Sequence, residues 1–241
     1  MLPNLIVIGA MKSGTTSLHY YLNLHPQIYM SDEKELNFFI EQKNWRNGQT
    51  WYESHFTGEA KVYGESSVNY TNFPQVKNVP KRMYSLVPEA KLIYVLRDPI
   101  ERIISHYIHS YANGNENRPF AKAILDSDGQ YLGRSKYYMQ LEQFLKYYPN
   151  PSILIITHEE LYSNRVNALK EIFRFLGVDD TFSSSEFSEI LNRSNDKRRQ
   201  NKMIARPVVD EPLRKELIRH LQDDVDRLRV FTGYRFENWC L

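Results

Sequence analysis

Cysteine is all but absent from this chain: the single thiol, Cys240, sits one residue from the end. One thiol cannot close an intrachain disulfide, so no disulfide scaffold supports the fold, and a reducing, cytoplasmic setting is the expectation. Long apolar runs are missing too. No stretch approaches the ~20 apolar residues that a membrane span needs. The opening Met1-Leu-Pro-Asn-Leu-Ile-Val-Ile-Gly9 has neither the basic start nor the apolar length of a secretory signal. The reading is a soluble chain without a membrane span; a catalytic domain cut from a longer anchored protein would look the same. A dominant charge is also lacking. With 31 basic and 29 acidic residues the net charge is +2, so no whole-molecule field points to nucleic acid, and any preference for anions must come from local patches. No internal repeat, low-complexity linker or His/Cys cluster with metal-ligand spacing is visible, which leaves one domain over residues 1–241 and no metal site as the simplest expectation.

Apolar residues make up 41% of the chain, enough for a proper core. Four short Val/Ile-rich runs read as buried parallel strands: Leu5 to Ile8, a weak one around Lys61 to Gly64, Lys91 to Leu96, and Ser152 to Thr157. Helical patterns lie between and after them: Thr15 to Leu24, Val76 to Val87 with a break expected at Pro80, Pro99 to Tyr111, Ser135 to Tyr148, Arg165 to Leu176 and Asp210 to Phe231. Alternating strands and helices predict an α/β fold, a three-layer arrangement with a central parallel sheet flanked by helices. Residues 113–119 and 183–206 read as loops.

Gly9-Ala-Met-Lys-Ser-Gly-Thr-Thr16 follows a strand and opens a helix, where unpaired backbone N–H groups and the positive end of the helix dipole converge on an anion. The spacing from Gly9 to Gly14 is that of a nucleotide P-loop. Yet Thr15 follows the second glycine and the lysine sits inside the loop, at Lys12, away from the place where a Walker lysine reaches β- and γ-phosphates. The loop therefore reads as a holder for a shorter phosphate group, the bland alternative being a strand-to-helix turn with an exposed lysine.

After the third strand comes Arg97-Asp-Pro-Ile-Glu-Arg-Ile-Ile-Ser-His-Tyr-Ile-His109. Asp98, Pro99 and Glu101 fit N-cap, N1 and N3 of a capping box, so the two carboxylates read as structural. Arg97 falls at the carboxyl end of a strand, where open α/β sheets bind ligands. Arg102, Ser105 and His109 share a helix face. An arginine with a serine hydroxyl can hold a phosphate by charge-assisted bonds; equally, Arg97 could simply pair with a carboxylate.

Lys-x-Gly-Thr-Thr after one strand and Arg-Asp-Pro-x-x-Arg-x-x-Ser after another resemble the family of sulfotransferases that use 3′-phosphoadenosine-5′-phosphosulfate (PAPS). Lys34-Glu-Leu-Asn-Phe-Phe39, Gly133-Arg-Ser-Lys-Tyr137, Leu145-Lys-Tyr-Tyr-Pro149 and the stretch from Thr232 to Trp239 resemble the heparan sulfate branch, so the likeness spans nearly the whole chain. It implies a P-loop-type fold. It also implies that Lys12, Ser13, Gly14, Thr15 and Thr16 cradle the 5′-phosphosulfate, that Arg97 and Ser105 hold the 3′-phosphate, and that Ser135 and Tyr137 touch the nucleotide. Glu35 matches the catalytic base, His109 matches a histidine kept near the centre of the N-sulfating enzymes, and Lys12 would act on the leaving group. The product nucleotide would be PAP, the acceptor a small molecule or an oligo- or polysaccharide, and no metal would take part.

There are departures. Glu65-Ser-Ser67 stands where many glycan sulfotransferases carry Glu-Lys-[Ser/Thr], and Asn37 stands where the 3-O-sulfating branch has a histidine. These leave open the acceptor and the choice between O- and N-sulfation. Glu35 also fits a capping box with Asp32, and Glu33 and His109 are alternative bases. The basic run from Arg193 to Arg206, with Lys197, Arg198 and Arg199, reads as a solvated loop or, by the resemblance, as a lid over the nucleotide. Trp45, Trp51 and Tyr52 flank the Glu35 region and could stack on a sugar, although most such rings are packing. Two rivals remain: a P-loop kinase for a small metabolite, and a non-catalytic nucleotide- or glycan-binding relative.

Overall fold

Every strand runs the same way. The computed structural model describes residues 1–126, 129–188 and 205–241, and among them β1 (Leu5–Gly9), β2 (Ile28–Met30), β3 (Val62–Ser66), β4 (Lys91–Leu96) and β5 (Ile153–Thr157) form a parallel sheet in the order β2-β3-β1-β4-β5. β1 is central, with Leu5 opposite Gly64 on one side and Lys91 on the other. From β1 the chain goes to the edge at β2, returns through β3 beside β1, and then crosses to β4 on the other side, so the order switches direction beside the carboxyl end of β1. Ligands of open α/β sheets bind outside such a switch.

Alternation along the strands assigns the two faces. Ile6, Ile8, Leu92, Tyr94 and Leu96 point into one buried cluster, and Leu5, Val7, Ile93 and Val95 point into the other. Helices α1 (Thr15–Asn23) and α9 (Arg165–Leu176) cover the second face. The first is covered by α3 (Val79–Leu86), α7 (Tyr137–Leu145) and the C-terminal half of the last helix, α10 (Glu211–Thr232). A third cluster joins α4 (Pro99–Ala112), α5 (Phe120–Ile124) and α6 (Gln130–Gly133) to the first half of α10. Short helices α2 (Gly48–Glu53) and α8 (His158–Ser163) complete the set among the described residues.

Several sequence expectations need correction. β2 has only three residues, too few for a run to stand out, and β3 extends to Ser66. Pro80 does not break a helix; it opens one, in the first turn of α3, where its missing N–H is no loss. α7 starts at Tyr137 and stops at Leu145, short of the predicted 135–148.

Asp98 caps α4 as expected, its Oδ1 accepting from Glu101 N at 2.9 Å. The reciprocal half of the box is different: Asp98 N donates to Glu159 Oε1 at 3.1 Å, leaving the Glu101 carboxylate for arginines. Asp98 Oδ2 also accepts from Cys240 N, tying the C-terminus to the head of α4. Asp98→Ala should therefore cost about 1–2 kcal/mol in urea denaturation, and Asp98→Asn, which can still cap, clearly less. Equal stability of all three proteins would show that the cap contributes nothing.

Candidate active site

The loop after β1 is shaped by close approaches. A Cβ at Gly9 would lie 2.2 Å from Thr71 Oγ1, and one at Gly14 would lie 3.1 Å from His158 Cδ2. Gly14 also has φ 91°, in the left-handed region that glycine enters without strain. Lys12 adopts φ 73°, which bends the loop back on itself. α1 then begins at Thr15 with no side-chain cap. Its first N–H groups, with the dipole behind them, face the mouth of the loop. Ser13 Oγ is wholly buried there without a hydrogen-bond partner. A buried hydroxyl left unsatisfied in a loop of this kind is what an anion's oxygen would complete.

Two arginines lie beneath the loop. Arg102 is 0% exposed. Its Nε donates to Ser135 Oγ at 2.6 Å, Nη2 to Tyr131 O at 2.6 Å, and Nη1 to Met11 O at 3.5 Å. Nη1 also meets His106 Nδ1 at 3.3 Å; burial, then Arg102, push the His106 pKa well down, so the ring is neutral and accepts. Arg134, 5% exposed, donates from Nε to Asn72 Oδ1 at 2.9 Å and from Nη2 to Asn69 Oδ1 at 2.8 Å, with Nη1 3.3 Å from Met11 Sδ. Burial and the neighbouring Arg102 lower its pKa to about 9. All of these acceptors are neutral. A buried cation bonded only to neutral groups is costly; the Glu35 carboxylate offsets part of the Arg134 charge, and a bound anion would offset more.

Arg97 leaves the end of β4 and reaches the same place, Nη1 donating to Lys12 O at 3.3 Å. Nη2 meets Glu101 Oε2 at 3.4 Å, so the carboxylate pairing considered above is present, although long. Glu101 is shared with Arg206. Ser105 is buried one helical turn after Arg102 on α4, while His109 is half-buried with Nε2 3.2 Å from Asn113 Nδ2. Ser135 and Tyr137 turn inward: Ser135 Oγ accepts from Arg102 and lies 3.3 Å from Pro99 O, and the Tyr137 hydroxyl donates to Arg97 O at 2.8 Å. Both shape the site from behind. Lys197, Arg198 and Arg199 lie outside the described residues.

No helix forms at residues 31–40, so the capping box between Asp32 and Glu35 does not exist. Glu35 sits at φ 67° beyond the end of β3, its N donating to Ser66 O at 2.9 Å. Its Oε2 accepts from Val68 N at 3.0 Å, and Oε1 pairs with Lys34. Asn37 continues the connection: Nδ2 donates to Glu35 O at 2.6 Å and Oδ1 accepts from Asn69 Nδ2 at 3.0 Å. Asn69 is also held by Arg134, so one line of hydrogen bonds joins the Glu35 segment to the cation under the loop.

Behind it lies Glu65, 0% exposed, accepting from Tyr52 and Tyr70 hydroxyls at 2.6 and 2.7 Å and from Ser67 Oγ at 2.7 Å. Burial raises its pKa. Tyr52 is thus a core residue, as are the ring contacts of Trp45 and Trp51 with Phe38. Ser66, at the position where many glycan sulfotransferases carry a lysine, bonds to His19 Nδ1 at 2.9 Å.

Three residues went unremarked in the sequence. Arg134 was visible only as one letter of a motif, since burial cannot be read from a lone arginine. Lys34 was overshadowed by Glu35. His158 had a usable signal, its position at the carboxyl end of β5; it opens α8 against Gly14 and stacks on Tyr162 at 6.3 Å and 12°. Burial, then Arg97, lower its pKa to about 4.

Residues 2–228 match the sulfotransferase domain family. The chain belongs to the PAPS-dependent sulfotransferases. It is 30% identical over 198 residues to the human bifunctional heparan sulfate N-deacetylase/N-sulfotransferase 2, covering 73% of this chain and 22% of that protein. The chain thus spans about a fifth of the length of that relative. A sulfotransferase crystal structure from Alicyclobacillus acidocaldarius superposes with TM-score 0.82 and 25% identity over 99% of both chains. Mouse sulfotransferase SULT7A1 complexed with PAP shares the fold at TM-score 0.51 and 19% identity, over 98% of this chain and 85% of that one. Among the described residues of this sulfotransferase, no helix is long and apolar enough to cross a membrane.

The site carries a pH signature. His19 Nε2 lies 3.1 Å from Ser31 O, so Nε2 bears the proton and Nδ1 accepts from Ser66. Burial, then Lys34, lower its pKa from 6.5 to about 4. A histidine depressed in the folded state contributes stability that is full above the unfolded pKa and is lost as pH falls from 6.5 towards 4. The contribution is at most about 3 kcal/mol. His19→Gln should therefore be more destabilising at pH 7 than at pH 4.5 in chemical denaturation; a pH-independent difference would rule out the buried neutral ring.

Proposed function

We propose that this sulfotransferase moves the sulfuryl group of PAPS in line onto a hydroxyl or amine of a carbohydrate, within one domain spanning the chain. The observation that carries the donor half is the pair of buried arginines, Arg102 and Arg134, with neutral partners below a loop whose Ser13 hydroxyl is unsatisfied. The heparan sulfate activity named for the human relative supports the carbohydrate half.

PAPS supplies the sulfuryl group on its 5′-phosphate. The N–H groups at the start of α1, with Lys12, Ser13, Gly14, Thr15 and Thr16, hold that phosphate and stabilise the charge that grows on its oxygen as the sulfur–oxygen bond breaks. Arg97 and Ser105 take the 3′-phosphate. Glu35, kept in orientation by Lys34 and the Val68 amide, accepts the proton of the acceptor as the new bond to sulfur forms. His109, on the face of α4 shared with Arg102 and Ser105, is the alternative base. A kinase would need a free aspartate for magnesium, whereas both Asp98 oxygens accept backbone N–H groups.

Calorimetric titration with PAP, without metal, should give tight binding that Arg97→Ala weakens by about tenfold or more. Magnesium-ATP should bind poorly. Preference for magnesium-ATP, or indifference to Arg97, would overturn the donor assignment.

Glu35→Gln should leave PAP affinity unchanged while lowering kcat by roughly 10²–10⁴. Lys12→Ala should reduce kcat far more than donor affinity. Equal losses in binding and turnover would mean that these residues act on the ground state.

A further inference from the structure

A pocket of about 190 Å³ opens on the flank of the molecule between the start of α3 and the end of α7, away from the phosphate loop. Its wall includes Lys77, Lys81 and Lys146 and no carboxylate. Neither Lys77 nor Lys81 has an ion-pair partner among the described residues. Lys146 spends one of its N–H donors on Gln143 Oε1, at 2.8 Å, and keeps the others. Gln143 donates once, to Met139 O at 3.1 Å, and its amide has a second N–H. α3 enters the pocket edge through Asn78, which has φ 61° and makes no side-chain cap, so the helix N-terminus adds its partial positive charge. Tyr147, 37% exposed, lines the opening, and the ring of Tyr84, 42% exposed, lies 6.1 Å from it. Two exposed tyrosines beside convergent cations make a surface for a ring that carries a negative charge.

The pocket is also tied to the reaction centre. Tyr70, part of its wall, is two residues beyond the Val68 amide bound by Glu35, at most ~7 Å along the chain. Gln140, another wall residue, holds Phe73 at both N and O and also bonds Gly133 O, just before Arg134.

We propose that this pocket is a second subsite for the acceptor, holding the carboxylate or sulfate of an acidic sugar unit while another unit of the same chain reaches Glu35. The proposal rests on the carbohydrate reading of the acceptor. It makes acidic oligosaccharides the preferred substrates and assigns the preference to lysines that take no part in the chemistry.

The test is calorimetric titration with tetragalacturonate and with maltotetraose, a neutral chain of equal length, each in the presence of PAP. The proteins are wild type, Lys77→Gln/Lys81→Gln/Lys146→Gln, and Arg97→Ala. Tetragalacturonate should bind wild type and Arg97→Ala alike, and the triple variant about tenfold or more weakly. Its affinity for wild type should fall as salt rises. Maltotetraose should not distinguish wild type from the triple variant. PAP should bind the triple variant as it binds wild type, showing an intact fold and donor site. Undiminished tetragalacturonate binding in the triple variant, absence of binding to wild type, or loss confined to Arg97→Ala would each overturn the subsite. If inorganic sulfate is held by the lysines and neither saccharide is, the assignment to a sugar fails while the donor assignment, read from PAP, stands.

Discussion

The arrangement turns on a charge buried where charge is expensive. Arg102 is fully enclosed, and its donors go to a serine hydroxyl, two backbone carbonyls and a neutral imidazole. Those partners lie on three pieces of chain: the phosphate loop at Met11, α4 itself at His106, and α6 with the turn that follows it at Tyr131 and Ser135. One guanidinium thus gathers the segments that build the donor site, and its planar fork allows it to bond in several directions at once. The cost of desolvation is met only in part by neutral partners, and the remainder creates a standing demand for an anion above it. Arg134, likewise buried and likewise bonded to neutral groups, adds to that demand, offset in part by the Glu35 carboxylate.

The sheet makes the demand useful. β1 and β4 are neighbours, so the loop after one and Arg97 at the end of the other meet at the switch in strand order. His158 arrives from the end of β5, the next strand out. Three successive strands therefore each deliver a group to the same edge. Tyr137 and Ser135 support this edge from behind, fixing the carbonyl of Arg97 and the guanidinium of Arg102. Rigid backing of this kind keeps the Arg97 carbonyl and the Arg102 guanidinium in fixed positions at that edge.

Much of this was legible in the residues, and the exceptions have physical causes. The core strands were readable because apolar runs of four to six residues between helical patterns have few other uses. β2 escaped because three residues carry too little pattern, and its place at the sheet edge is decided by pairing with β3. The loop from Gly9 to Thr16 and the position of Arg97 at the end of β4 could be read because both depend on local spacing. Arg134, His158 and the Glu65 cluster depend on contacts between distant positions, such as Arg134 with Asn69 and Tyr52 with Glu65, and no local pattern encodes those. The capping box at Asp98 was half right for the same reason: the local bond formed, while the reciprocal one was taken by Glu159, far along the chain.

Donor and acceptor sides of the centre are built on different principles. Below the phosphate loop the protein uses full positive charges held by neutral partners, which suits a ligand of fixed, high negative charge. On the other side it uses a line of short polar contacts, from Glu65 through Ser67 and Asn37 to Glu35 and Asn69. Such a line fixes direction more than it attracts, because each member is already satisfied by its neighbour. A base must be aimed at a proton whose position changes little from one acceptor to another, while the rest of the acceptor varies. Under the proposed role of Glu35 as base, a satisfied network meets that need: it holds the carboxylate in place without committing the site to one acceptor. Discrimination among acceptors must then come from surfaces further out, and the lysine-lined pocket beyond Tyr70 is placed to supply it.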